Sequence, residues 1–187
     1  MSSAESAELR ADAARNRDAL LAAATRTFAA SETEPSMRAI AREAGVGIAT
    51  LYRHFPTREA LVDAVYRDQV ERLTPGAEEL LSEVPPSRAL RSWADQFGEW
   101  LLTKHGMIDT LRSMIETGEI AHAQTRDELL AAISRILDAG AATGELRSDV
   151  SAEDITASLL GTFTVAGKRR EQAGRLLDLL IDGLRVR

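Results

Sequence analysis

The chain has 187 residues, 44% apolar and 28% charged, enough to bury a sizeable core and too apolar for overall disorder. It has no cysteine and only three widely separated histidines (His54, His105, His122), which removes disulfide and thiolate chemistry and argues against a metal site. No apolar run reaches the roughly 18 to 20 residues that span a bilayer, and the polar start MSSAESAELRADAARNRD is unlike a signal peptide. The expectation is a cytoplasmic protein with no membrane contact and no cofactor.

Ala and Leu are abundant, Val and Ile sparse, and no window alternates as a strand would, so the expected fold class is all-α. Residues 1–14 are expected as a flexible tail. Helix one is expected from about Arg15 to Ala29, with Leu20, Ala24 and Phe28 at i, i+4 and i+8 as its inward stripe. The segment SETEP reads as a loop. Ser36 is placed to cap a second helix, Met37 to Ala44, which Gly45 ends in the left-handed conformation open to Gly. A third helix is expected from Ile48 to His54, stopped by Pro56. Thr57 can cap helix four, which starts at Arg58 and serves as a connecting helix to about residue 72.

Two short helices around the turn Gly45–Val46–Gly47 form a helix-turn-helix. Val46, Leu51 and Phe55 are expected to be buried, leaving Ile48, Ala49, Thr50, Tyr52, Arg53 and His54 on another face. Small residues there allow close approach to a groove, and a hydroxyl, a phenol and an imidazole can bond phosphates or base edges. The charge agrees. Residues 15–58 carry seven Arg against four acids, net +3, whereas residues 59–187 carry thirteen Arg and two Lys against 22 acids, net −7.

The stretch IAREAGVGIATLYRHFPTREALVDAVY (Ile40–Tyr66) resembles the DNA-binding domain of the tetracycline-repressor (TetR) family of bacterial regulators. A-x-x-A-G-V at Ala41–Val46, T-L-Y-x-H-F at Thr50–Phe55 and R-E-A-L at Arg58–Leu61 carry the likeness, which covers about residues 15–72. A fainter echo lies at GELRSDVSAEDI, Gly144–Ile155. The resemblance assigns Arg38, Thr50, Tyr52, His54 and Arg58 to DNA, with Ile48 and Ala49 closest to the base edges; Thr57 and Arg58, at a helix N-terminus, suit a phosphate on charge and dipole grounds. Ile48 stands where some members have a polar base reader, which implies apolar contact with a thymine methyl. Glu32 stands where many have Gly, which implies a differently shaped turn after helix one.

Farther on, TPGAEELLSEVPPS (Thr74–Ser87) reads as a link with a short helical piece. Helix five is expected at Ser87–Lys104, with Leu90, Trp93, Phe97, Trp100 and Leu101 on one face; Gly106 then interrupts, and helix six carries Met107, Leu111, Met114 and Ile115 to about Thr117. Helix seven is expected at Thr125–Thr143. Ser151 and Asp154 form a capping box for helix eight, which runs to about Ala166, and helix nine covers about Glu171–Arg185.

Residues 73–187 would then be a ligand-binding and dimerisation domain, for nine helices in all. The family encloses an inducer pocket in this region, which implicates Trp93, Phe97, Trp100, Met107, Met114 and Phe163 and an unidentified, largely apolar small molecule. Family members also dimerise through their last two long helices. That implicates Gly161, Val165, Leu177, Leu180 and Leu184 in a homodimer that presents two reading heads to a pseudo-palindromic double-stranded operator. The functional expectation is a DNA-binding transcriptional repressor released by a ligand. The alternative is a regulator controlled by a protein partner, or an activator. An enzyme lacks support, because G-x-S-x-G, P-loop, G-x-G-x-x-G and H-E-x-x-H motifs are all absent.

Overall fold

A computed structural model describes residues 3–186, with side chains from residue 14. In chain order the described residues form α1 (Ser3–Ala30), α2 (Met37–Glu43), α3 (Ile48–His54), α4 (Arg58–Glu83), α5 (Pro86–Gly106), α6 (Ile108–Glu116), α7 (His122–Thr143), α8 (Ala152–Ala166) and α9 (Arg170–Leu184). Their one extended pairing is an antiparallel bridge between Leu146 and Arg185. No helix among them is long and apolar enough to cross a membrane. No group of His, Cys, Asp or Glu among them could hold a metal ion.

The chain divides into two compact units. The first runs through Arg67 and takes back Thr103–Ile120; the second holds Asp68–Leu102 and the residues from Ala121 onward. In the first, Leu20, Ala24 and Phe28 of α1 are fully buried with Ile40 and Leu51, and α2 packs on both α1 and α3. Met107, Leu111 and Met114 of the α6 region are buried in this unit as well. Gly106 makes that possible: a Cβ there would overlap the carbonyl oxygen of Phe28, so only glycine allows this close approach.

In the second unit Trp93 is fully buried, stacks on Phe97 at 5.4 Å between ring centroids and donates its indole N–H to the Leu73 carbonyl at 2.9 Å. Gly98 leaves space for the ring of Phe163, which a Cβ at 98 would overlap. The α7–α8 connection is tied to the C-terminal end of α9 by Arg147 N–H to the Leu184 carbonyl (2.8 Å) and Val186 N–H to the Glu145 carbonyl (3.1 Å). Helix α8 opens on the expected capping box. The Ser151 amide and hydroxyl both donate to Asp154, holding its carboxyl below the ordinary aspartate range.

Several sequence expectations are corrected. Helix α1 starts at Ser3, so residues 3–14 of the expected tail extend the helix. Helix α4 continues to Glu83 through Pro75, replacing the expected link from Thr74. A proline there deprives only the Glu71 carbonyl of its helical donor, and both residues are exposed, so water can take that place. Residues 103–120 pack with the first unit. Val46 is half-buried rather than buried. Glu32 needs no special backbone, since the positive-φ residues described are Gly45, Gly118, Gly144 and Gly167.

Gly106→Ala is therefore expected to destabilise the protein by about 3 kcal/mol, because backbone rather than a movable side chain must yield. Urea unfolding checks this, and a loss below about 0.5 kcal/mol would mean that the contact relaxes freely.

Candidate nucleic-acid interface and ligand cleft

The direction of α3 is set by the turn that precedes it. Gly45 adopts φ +70°, Gly45 N–H donates to the Arg42 carbonyl (3.1 Å) and Val46 N–H to the Ala41 carbonyl (3.0 Å). This pair of bonds is a Schellman closure, which satisfies the last carbonyls of α2 and turns the chain sharply. Gly47 then N-caps α3 from an extended conformation. Leu51 and Phe55 face inward, and Arg17 of α1 lies over the Phe55 ring with its guanidinium carbon 5.6 Å from the centroid.

The opposite face of α3 is open. Tyr52 is 46% exposed, a high value for a tyrosine on a packed helix. Ala49 and Arg53 are exposed, and Ile48, Thr50 and His54 are half-buried. Arg38, on α2, is exposed too, and among the described residues Arg38, Arg42 and Arg53 have no ion-pair partner. Thr57 caps α4 by accepting the Ala60 N–H at 3.1 Å, which leaves its own hydroxyl proton available to a phosphate.

Arg58 is differently engaged. Its guanidinium donates to the Pro35 carbonyl at 2.7 Å and pairs with Glu34 at 3.4 Å. Glu34 also accepts the Thr110 amide and hydroxyl of α6, each at 2.8 Å. The sequence gave no sign of this cluster, because its partners lie 24 and 76 residues from Glu34.

Of the six residues expected around a ligand, Met107 and Met114 lie in the core of the first unit, while Trp93 and Phe97 are core residues of the second. Trp100 alone of the six lines the larger cleft, about 670 Å³, formed by the second-unit stretches of α4 and α5. Leu73, Pro75 and Leu80 supply apolar walls, and Glu71, Glu79, Glu83 and Glu99 bring carboxylates. The lining has one cation, Arg72, which is paired with Asp68 at 3.1 Å. Phe163 lines a smaller hollow of about 200 Å³ with Gly98 and Arg170, where Arg170 pairs with Glu99 at 2.6 Å. Spacing had singled out the aromatic stripe on helix five, and the stripe is core; the glutamates stand on exposed positions that periodicity passes over.

The expected dimer residues also separate. Gly161 is exposed, Val165 is 63% exposed and Leu180 is half-buried. Leu177 and Leu184 are instead buried with Ala173 and Ile181 as the inward stripe of α9. The outward positions are Leu176 and Leu180, half-buried, and Leu179, 69% exposed. On α8, Leu160 joins Gly161 and Val165 at the surface.

A helix-turn-helix in one unit and a cleft within a second, helical unit are the architecture of a DNA-binding transcriptional regulator. Residues 20–65 match the family described as "Bacterial regulatory proteins, tetR family", and residues 85–186 match "Transcriptional regulator SbtR-like, C-terminal domain". The chain is 45% identical to a TetR transcriptional regulator from Streptomyces coelicolor, with a TM-score of 0.80 over 90% of this chain and 98% of that one. A TetR transcription regulatory protein from Mycobacterium vanbaalenii is 36% identical, with a TM-score of 0.71 over 95% and 99%. The ketosteroid transcriptional regulator of Mycobacterium tuberculosis shares the fold, at 18% identity and a TM-score of 0.62 over 91% and 95%. None of the curated proteins matches. The chain belongs to the TetR family and is a transcriptional regulator.

The two arginines at this surface should behave differently. Arg38→Gln is expected to lower the slope of log affinity for DNA against log salt by about one, as for a lost phosphate contact. Arg58→Gln should leave that slope nearly unchanged, because its guanidinium already faces Glu34 and Pro35. Filter binding at four salt concentrations checks both, and equal slopes for the two variants would refute the distinction.

Proposed function

We propose that the protein is a homodimeric repressor that grips a pseudo-palindromic operator through α3 and releases it when a small molecule enters the cleft beside Trp100. The observation that carries the DNA part is the exposed Tyr52, held on a helix whose inward residues Leu51 and Phe55 are locked in the core. Thr50, Tyr52 and His54 would bond phosphates or base edges, Ile48 and Ala49 would approach the bases, and Arg38 and Thr57 would hold the backbone. Arg58 supports this surface by fixing the start of α4.

Outward positions on the last two helices favour a dimer. Leu160, Val165 and Leu179 are large, apolar and exposed, and a Cβ added at Gly161 would meet nothing within 4 Å in the protomer. A two-fold pairing of these faces would cover them, and half-sites would lie about one DNA turn apart, roughly 34–36 Å. The cleft supports a ligand different from the largely apolar one expected. Four glutamates around Trp100, Leu73, Pro75 and Leu80 favour a cation carried on an apolar body. The ligand would act by shifting the population of head arrangements, and about 1.4 to 3 kcal/mol of coupling suffices for a tenfold to 150-fold loss of operator affinity.

Fragments selected from genomic DNA at fixed salt supply the operator for the test. Thr50→Ala combined with Tyr52→Phe is expected to weaken binding by about 1–3 kcal/mol. Unchanged affinity would remove α3 from the interface.

For the dimer, Val165→Glu with Leu179→Glu is expected to halve the mass in sedimentation equilibrium. Operator affinity should then fall at least about tenfold, since one half-site is lost. A full dimer mass in that variant would take the α8–α9 face out of the assembly.

A further inference from the structure

We infer that Glu34 is a positioning residue for DNA recognition, a single carboxylate that locks α6 to the helices framing α3. The inference rests on the DNA-binding reading of α3 and adds to it a control point outside the DNA surface.

A helix N-terminus leaves amides without intrahelical partners. Helix α6 has no side-chain cap of its own: Met107 occupies that position and its side chain offers no oxygen. Glu34 supplies the cap from the loop between α1 and α2. One of its oxygens accepts the Thr110 amide, the third in the helix, and the other accepts the Thr110 hydroxyl, both at 2.8 Å. The second oxygen also meets Arg58, the first residue of α4. The Glu34 side chain is only 16% exposed and that of Arg58 27%, so neither charge is well hydrated if the other withdraws.

Position gives the cluster its consequence. Glu34 stands three residues before Met37, where α2 begins, and α2 leads through the Gly45 turn directly into α3. Arg58 stands four residues after His54, where α3 ends. A carboxylate bonded to α6 thus fixes the approach to α2 and, through Arg58, the chain that leaves α3. The same carboxylate cannot keep both α6 bonds if α6 shifts by the length of a hydrogen bond. Movement of α6 therefore passes to both ends of the reading motif, and the coupling is reciprocal, so fixing α3 on DNA must also steady the first turn of α6.

Amide hydrogen exchange on the full-length protein tests this, with the selected operator fragment present or absent. In the native protein the operator is expected to slow exchange in α3 and also, about fivefold, around Thr110 and Leu111. Glu34→Gln keeps an acceptor but loses the charge facing Arg58, and Thr110→Val keeps the shape but loses the hydroxyl. In both, saturation with operator should still protect α3, while protection at α6 falls below about twofold. Operator affinity should fall about three- to tenfold. A contact that merely supports the fold would lower thermal stability in both variants and leave the α6 protection intact; that outcome overturns the inference, as does absence of the protection in the native protein. If α3 itself gains no protection, it is the DNA reading that fails. The free protein then decides the role of Glu34, since Glu34→Gln must speed exchange both at Thr110 and at Ala60–Leu61, and unchanged rates at either place refute it.

Discussion

The Phe28 carbonyl lies where residue 106 would carry its first side-chain atom, and much of the molecule follows from that contact. Because Gly106 yields the space, α5 ends against the backbone of α1 and the chain enters α6 inside the core of the first unit. Met107, Leu111 and Met114 are then buried with Leu20, Phe28 and Ile40, each such side chain contributing about 1.5–3 kcal/mol. The DNA-reading head is consequently more than the first three helices. Part of its core comes from a segment on the far side of a helix, α5, whose other residues belong to the second unit. A regulator needs some connection of that kind, and here it is continuous polypeptide.

Charge is allotted as the two tasks require. Among the described residues, Arg38 and Arg42 of α2 and Arg53 of α3 have no ion-pair partner, the kind of cation that can exchange a counterion for a phosphate. Arg58, equally basic by sequence, is held by Glu34 and the Pro35 carbonyl. Most acids of the second unit stand on exposed positions, four glutamates around the Trp100 cleft among them. The excess of acid over the whole chain, net −6, opposes indiscriminate binding to DNA. Affinity must then come from the local geometry of the head.

Local features of the fold were legible in the sequence, and contacts between distant segments were not. Gly45 after an amphipathic stretch announces a left-handed helix end wherever it occurs, and the Schellman bonds are there. Ser151 with Asp154 announces a capping box in the same way. Gly106 has the same local signature as a helix interruption, yet it is the last residue of α5 and is required by a backbone 78 positions earlier. Pro75 reads as a break because an isolated helix would pay for its missing N–H, whereas here Leu73 and Ala77 are buried on either side of it and hold the helix straight through. In α9 the apolar arc is wide enough that period alone cannot fix its phase. The seam through Ala173, Leu177, Ile181 and Leu184 faces inward, and the one beginning a residue earlier, at Leu176, faces out. Glu34 had no signature at all, since an acid in a polar loop is ordinary until its partners are placed.

The scale of these interactions decides which of them can serve regulation. Coupling of about 1 to 3 kcal/mol is what a ligand-controlled repressor needs. The buried side chains of the head sum to several times that, so a ligand could not displace them without unfolding the unit. Hydrogen bonds to a charged group contribute about 1.5–3 kcal/mol. The Glu34 bonds to Thr110 and the pairing with Arg58 fall in that range: strong enough to define one arrangement of α6, weak enough to be exchanged for water. The apolar core therefore fixes what the head is, and the polar contacts at helix ends fix which of its arrangements is populated. The Glu34 carboxylate joins both kinds of element, the helix buried with the core and the two helix ends that aim α3.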